Sequence, residues 1–379
     1  MSRKRIVVLG SGGSIGENTL RVIAHHSDRF ELVGLGVQKN TTRLLEQARE
    51  FGVQQVAVAD VEAAAECKRI VEPSIIVGAG PEAMAELAAL PEADMVVCAV
   101  VGMAGLAPVL AALDQGTDVA LATKEVMVAA GELVNGVARR TGAKLVPVDS
   151  EHNAIFQCLE GRDPDSVKRL IVTASGGPFL KQPDLDFKTV TVEQALNHPR
   201  WDMGAKISID SATMMNKGLE LIEARWLFDI ELDRIDVIIH PESIIHSMVE
   251  FLDGSILAQL SPTDMRFAIQ YALSYPKRLE SSIEGLDLVK MAQLNFAAPD
   301  PERFRFLALA REASHAGGTL PAVLNAANEV AVQRFLDKDL SFPGIWETVE
   351  GVMNQHNNNQ NPDLEAIVEA DRWARGAAS

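Results

Sequence analysis

RIVVLGSGGSIGENTL, residues 5–20, decides the fold. Ile6 to Leu9 form an apolar run that predicts a buried strand, Gly10, Gly12, Gly13 and Gly16 crowd the turn after it, and a helical stretch follows. The spacing is GxxGxxG rather than GxGxxG, but the physical requirement is the same. Glycines allow a tight turn and let backbone N–H groups approach a pyrophosphate at a helix N-terminus. A plain strand–turn–helix fits the same letters; the position at the head of a βα series favours dinucleotide binding.

Working outward, FELVGLGV, QQVAVAD, SIIVG, MVVCAVV, DVALAT and AKLVPV alternate with helical stretches up to about residue 150. That alternation predicts an α/β fold with a Rossmann-like, doubly wound parallel sheet. Residues 150–274 read as α+β, with RLIVTAS (169–175), KISID (206–210), DVIIH, HSMVEF and SILAQL as strands. Asp253-Gly254 is a hairpin signal between the last two. From Pro301 the pattern is helical, with Leu320, Val323, Leu324, Ala327, Ala331 and Phe335 on one face. NQHNNNQNP, residues 354–362, reads as a solvated link. The expected organisation is a dinucleotide-binding domain over 1–149, a catalytic domain over 150–274 with a lid near 180–205, a connector over 275–300 and a C-terminal helical domain over 301–379.

The 379 residues suit two or three domains, and 47% apolar content is that of a globular protein. A net charge of −17 argues against nucleic acid or an anionic membrane as partner. Cys67, Cys98 and Cys158 lie far apart, as in a reducing compartment, and offer no thiolate metal site. The apolar run 95–113 is interrupted by glycines and a proline, so a strand, a loop and a core helix explain it better than a membrane span. No signal peptide is readable at the start, and a cytoplasmic location is expected.

The second strand addresses the choice of dinucleotide. NAD sites place an acid at its C-terminal end. Here the strand is followed by Gln38, Lys39, Asn40, Thr41, Thr42 and Arg43, and Glu31 stands at the wrong end. Cations without an acid fit a 2′-phosphate, so NADPH is the expected cofactor; solvated surface cations remain open, for Arg43 especially.

Asp149 and Glu151, in PVDSEHNAIFQ (147–157), lie two apart at a strand end. They could face one way and hold part of a divalent cation, or Asp149 or Ser150 could simply cap a helix. In SIDSATMMNKGLELIEARWLF (208–228), Asn216, Lys217 and Glu220 share a helix face with Ser211 just ahead. An anion site beside a metal-ligating carboxylate competes there with a surface salt bridge of little energetic weight. Met215, Leu219, Ile222 and Trp226 form a core stripe. Ser175-Gly176-Gly177 in TASGGP is a second anion cradle or an ordinary glycine turn. NHPRWDMG (197–204) suits a lid, with His198 a donor to substrate oxygens, or a packed loop. His246 reads as structural, with a part in shaping the site left open.

Together, GSGGSIGENTL, ALATKE, PVDSEHNAIFQ, TASGGPF, HPRWDMG, KISIDSATMMNKGLELIEARWLF, HPESIIHSMVEFLDGS and GGTLPAVLNAANEVAV resemble the 1-deoxy-D-xylulose 5-phosphate reductoisomerases over nearly the whole chain. The resemblance implies conversion of 1-deoxy-D-xylulose 5-phosphate to 2-C-methyl-D-erythritol 4-phosphate, with NADPH, with Mg²⁺, Mn²⁺ or Co²⁺, and in a homodimer. It implies Asp149, Glu151 and Glu220 as metal ligands. Ser175, Ser211, Asn216 and Lys217 would hold the substrate phosphate. Ser150 and His198 would touch substrate oxygens, with Trp201 and Met203 in the lid. The implied cofactor contacts are Gly10, Ser11, Gly12, Gly13, Ser14, Ile15, Gly16, Lys39, Asn40, Gly102, Thr123, Lys124, Glu125 and Gly204, with Lys124 near nicotinamide and substrate alike. Gly12, Gln38 and Thr123 depart from the usual Thr, Gly and Asn; LSPTDMRFA (260–268) differs in proline placement.

Overall fold

The computed structural model describes residues 3–201 and 203–379. In chain order the elements begin β1 (Lys4–Leu9), α1 (Ser14–His25), β2 (Phe30–Val37), α2 (Thr41–Phe51), β3 (Gln55–Val58), α3 (Val61–Ile70), β4 (Ile76–Ala79) and α4 (Pro81–Ala88). Next come β5 (Met95–Cys98), α5 (Leu106–Asp114), β6 (Asp118–Leu121), α6 (Lys124–Thr141), β7 (Leu145–Pro147), α7 (Ser150–Leu159), β8 (Val167–Ala174), α8 (Val192–Leu196), α9 (Ala205–Ala212) and α10 (Met215–Phe228). The remainder is β9 (Ile235–Ile239), β10 (Ile245–Phe251), β11 (Ile256–Leu260), α11 (Met265–Ser274), α12 (Leu288–Met291), α13 (Arg305–Ala316), α14 (Leu320–Leu336), α15 (Phe342–Gln355) and α16 (Leu364–Ala378). No helix among the described residues is long and apolar enough to cross a membrane.

The chain groups into two compact units. One comprises Met1–Val126, Val134–Asn153 and Asp264–Glu284; the other comprises Met127–Leu133, Ala154–Thr263 and Gly285–Ser379.

In the first unit, seven strands form a parallel sheet in the order β4-β3-β2-β1-β5-β6-β7. Ile6–Leu9 and Met95–Cys98 are buried throughout, as strands covered on both faces must be. The order reverses between β1 and β5, so the turns after these strands flank a topological switch point, where open α/β sheets bind ligands. α11 returns from later in the sequence to pack against α1, and His26 Nε2 lies 3.1 Å from Gln270 Oε1.

Two glycines of the first turn are sterically required. Gly10 has φ +84°, and a Cβ there would sit 2.3 Å from the Ala99 carbonyl oxygen. At Gly16 a Cβ would sit 2.3 Å from the Gly10 carbonyl. Gly12 is different, since its nearest neighbour would be Val37 Cγ1 at 3.8 Å. We therefore expect Gly10→Ala to cost at least ~1–3 kcal/mol and to weaken dinucleotide binding. Gly12→Ala should leave the melting temperature near wild type. Thermal melts with and without NADPH check both, and equal melts for the two variants would remove the steric account of this turn.

In the second unit, four strands form a mixed sheet, β11-β10-β8-β9, with β8 and β9 parallel and the other pairs antiparallel. The Asp253-Gly254 hairpin joins β10 and β11 as expected. Leu221 and Ala224 of α10 pack on this sheet against Leu170, Val172, Ile235 and Val249. α14 carries Leu320, Val323, Leu324, Ala327, Ala331 and Phe335 into the helical core, together with Ala326 and Val332 from its other sides. A helix buried on more than one face belongs inside a bundle.

Two local expectations are corrected. KISID is not a strand; it lies within α9. Its alternating isoleucines imitate a strand, but helix-period contacts prevail: Ser208 Oγ donates to the Gly204 carbonyl at 3.0 Å, and Lys206 pairs with Asp210 at 2.7 Å. The 354–362 link is fastened rather than simply solvated. Thr319 N donates to the Asn359 carbonyl at 3.0 Å, and Thr319 Oγ1 lies 2.7 Å from His356 Nε2.

Candidate active site

The first unit gathers its functional side chains at the C-terminal ends of adjacent parallel strands. After β1 comes the glycine turn, whose Gly13 N bonds the Gly10 carbonyl at 3.1 Å. After β5, Gly102 turns the chain at φ +67°. Thr123 follows β6 and turns its hydroxyl onto the Cys98 and Val100 carbonyls. A threonine at this departure therefore serves the turn itself.

Lys124 opens α6, and its Nζ lies 2.5 Å from Asp149 Oδ2, both side chains nearly buried. Asp149 follows β7, and Ser150 starts α7 with its Oγ donating to Glu151 Oε2 at 2.5 Å. The helix-start reading is met, since Ser150 begins α7, and it leaves the carboxylates of Asp149 and Glu151 compatible with a cation site.

The cations after β2 are now sorted. Arg43 is clamped by Glu17 at 2.6 Å and by Glu46 at 3.0 Å, which is the surface-cation outcome left open for it. The Lys39 side chain is 70% exposed and pairs with Asp60 at 3.1 Å, a surface position compatible with contact to a phosphate. Asn40 caps α2 by accepting from Arg43 N.

In the second unit, Ser175 follows β8. Its Oγ accepts from Gly177 N at 3.2 Å and lies 2.9 Å from His198 Nε2. Gly177, at φ +68°, lies against α9: a Cβ there would be 2.8 Å from the Ser211 carbonyl oxygen. His198 Nδ1 accepts from Arg200 N at 3.2 Å and Trp201 N at 2.9 Å. An Nδ1 that accepts leaves the proton of the neutral ring on Nε2, so His198 is a hydrogen-bond donor toward Ser175. Trp201 and Met203 are half-buried in the same loop; Asp202 lies outside the described residues. Sequence reasoning missed Arg200, whose Nε fastens this loop to the Pro241 carbonyl at 3.0 Å.

Burial, and then the Lys217 ammonium, lower the His198 pKa from 6.5 to about 4. As pH falls, the unfolded chain takes up this proton first. The group therefore contributes stability that declines from about pH 6.5 toward about pH 4. Between pH 6 and 8 it should not titrate. A ¹⁵N-detected NMR titration should find a neutral Nε2–H ring with its midpoint below about 5; a midpoint at 6 or above would overturn the tautomer.

Asn216, Lys217 and Glu220 occupy the first turns of α10. Lys217 Nζ lies 2.6 Å from Glu220 Oε2, and Asn216 Nδ2 donates to Glu220 Oε1. This is not the surface salt bridge that sequence left open: the two charged side chains are 7% and 0% exposed. His246 is buried beside the Ser261 carbonyl, a structural placement.

The donors meet the needs of the expected groups. Asp149 and Glu151 in the first unit, and Glu220 in the second, each offer only carboxylate oxygen, as a hard divalent cation requires. The open space at Gly12 and the close-packed Gly10 and Gly16 fit the backbone cradle that a pyrophosphate needs.

A parallel sheet with this turn at its switch point, and with lysine and carboxylates ending the next strands, defines a dinucleotide-dependent oxidoreductase. The particular family follows from comparison with known proteins. Family models match in three stretches: "1-deoxy-D-xylulose 5-phosphate reductoisomerase" at residues 6–131, the C-terminal domain of that enzyme at 145–228, and "DXP reductoisomerase C-terminal domain" at 260–377. The chain is 54% identical over 383 residues to the 1-deoxy-D-xylulose 5-phosphate reductoisomerase of Symbiobacterium thermophilum, covering 99% of this chain and 98% of that one. It is 45% identical to the reductoisomerase from Zymomonas mobilis in complex with NADPH, at TM-score 0.93, covering 100% of this chain and 98% of the other. A reductoisomerase structure holding NADPH, fosmidomycin and magnesium matches at 40% identity and TM-score 0.93, covering 99% and 97%. The chain belongs to the 1-deoxy-D-xylulose 5-phosphate reductoisomerase family.

Proposed function

We propose that the chain converts 1-deoxy-D-xylulose 5-phosphate to 2-C-methyl-D-erythritol 4-phosphate in non-mevalonate isoprenoid biosynthesis, with NADPH and a divalent cation (Mg²⁺, Mn²⁺ or Co²⁺). The observation that carries this reading is the buried Lys217–Glu220 pair, an ammonium and a carboxylate kept together inside one helix face. Such a pair is weak evidence for stability and suits a site that must meet an anion and a cation at once. The NADPH and magnesium complexes of the relatives support the choice of cofactors.

NADPH supplies the hydride, and the cation, when bound, stabilises negative charge on substrate oxygens. The chain does the rest. Residues 1–149 bind the dinucleotide through the Gly10–Gly16 turn, with Lys39 and Asn40 at its 2′-phosphate end and Lys124 toward the nicotinamide; Gly102, Thr123, Glu125 and, from the loop before α9, Gly204 complete the cofactor contacts. Asp149, Glu151 and Glu220 hold the cation. Ser175, Ser211, Asn216 and Lys217 grip the phosphate, remote from the reacting carbons, so that its binding energy orients the substrate. His198 donates from Nε2–H, Ser150 holds a substrate oxygen, and the Trp201 and Met203 loop excludes water. The protein works in the cytoplasm as a homodimer; the sheet-edge strand β11, with Ile256 half exposed, is a surface that such pairing can cover.

NADPH oxidation is measured with 1-deoxy-D-xylulose 5-phosphate, with and without EDTA. Strict dependence on both substrate and divalent ion is expected. Turnover that survives EDTA would favour a metal-free sugar-phosphate dehydrogenase. NADPH binding without any turnover would favour a redox sensor.

A further inference from the structure

Asp210 is an aspartate inside a helical core. It lies on α9 and is 1% exposed, and the partners of its carboxylate come from two helices. Lys206 Nζ, one turn earlier on α9, is 2.7 Å from Oδ2, and Asn328 Nδ2 of α14 donates to Oδ1 at 2.9 Å. Its neighbours Ile209 and Ala212 already pack in the same core as Ala327 and Ala331. An apolar pair would join these helices at no cost in desolvated charge. Asn328 also keeps a buried Oδ1 with no hydrogen-bond partner among the described residues. The arrangement is more expensive than packing needs.

What it adds is direction. Hydrophobic contact leaves a helix free to rotate and slide by small amounts; a charge-assisted hydrogen bond fixes one rotation. Ser211 is the next residue on α9, and its backbone carbonyl is already in contact range of Gly177. The rotation of α9 therefore sets the gap between Ser211 and the Ser175–Gly177 turn. A rotation of about 20° moves a side-chain atom on the rim of a helix some 5–6 Å in radius by roughly 2 Å.

We propose that Asp210 and Asn328 are positioning residues that fix α9 so that Ser211 and the Ser175–Gly177 turn are spaced for a phosphate; the choice of phosphate rests on the function proposed above. Neither residue touches the substrate.

The test compares wild type, Asp210→Asn, and the apolar double variant Asp210→Leu/Asn328→Leu. The readouts are KM for the sugar phosphate, KM for NADPH, the Ki of inorganic phosphate, and the melting temperature with and without inorganic phosphate. In the double variant, KM for the sugar phosphate and the phosphate Ki should rise together about ten- to hundred-fold, the scale of a misplacement near 1 Å. KM for NADPH should stay within about threefold, and the melting temperature should fall only modestly, because Lys206, 24% exposed, can carry its ammonium to water once Asp210 is gone. Asp210→Asn, which keeps the shape and an acceptor for Asn328, should lie between. Sugar-phosphate KM and phosphate Ki within about threefold of wild type in both variants would overturn the proposal. So would a uniform loss of all constants with a strongly lowered melting temperature, since that is a structural role alone. If wild type turns over no 1-deoxy-D-xylulose 5-phosphate, the proposed activity fails, and the phosphate-dependent melting shift still decides the positioning pair: a shift in wild type that the double variant loses supports it, and equal shifts, or none in wild type, overturn it.

Discussion

Glu220→Gln leaves NADPH affinity within a few-fold of wild type and lowers kcat by at least about 10²-fold, the least expected when several kcal/mol of charge stabilisation are lost. The substitution keeps the shape of the side chain and removes one negative charge. Glu220 is fully buried, so in the proposed metal set its charge would be little screened from a bound cation. In the proposed assignment the glycine turn of the other unit holds NADPH, and the substitution does not touch it. Kinetics at saturating Mg²⁺, with NADPH binding followed by fluorescence, measure both halves of the statement. Turnover within a few-fold of wild type would remove Glu220 from the metal set.

The second large effect is at Lys217. Lys217→Met should raise KM for the sugar phosphate by about 10²-fold or more, because a desolvated charge–phosphate contact is strong. It should also destabilise the fold by about 3–5 kcal/mol, because the Glu220 carboxylate loses its balancing ammonium inside the protein. The two penalties separate in the double variant Lys217→Met/Glu220→Gln. With both charges gone, most of the lost melting temperature should return, while activity should not. Chemical denaturation of the four proteins of this cycle gives the coupling energy. Strictly additive losses of stability would mean that the two side chains do not balance one another.

The fold was legible wherever burial is two-sided. Ile6–Leu9 and Met95–Cys98 are covered on both faces, and strands of that kind appear in sequence as unbroken apolar runs. KISID misled because its two isoleucines alternate like a strand, while the contacts that make it helical, Lys206 to Asp210 and Ser208 to Gly204, carry no apolar signal. At the site, the spacing of Asn216, Lys217 and Glu220 placed them on one helix face; their burial depends on what packs against α10, which no local pattern records. The Asp210–Asn328 bond joins residues 118 apart, and neither has a neighbour in sequence that announces the other. Nor was the tautomer of His198 readable, since it follows from how the backbone at Arg200 and Trp201 folds back on the ring.

Neither compact unit is a continuous stretch of polypeptide, because Asp264–Glu284 completes the first after Ala154–Thr263 has contributed to the second. A ribosome must therefore release the whole of the second unit's sheet before the first unit has its last helix. The nascent chain cannot fold one unit to completion and then begin the next; it holds an unfinished nucleotide-binding half while its neighbour is synthesised. The same interleaving means that cutting the gene between the codons for Asn153 and Asp264 yields no fragment that contains either unit entire.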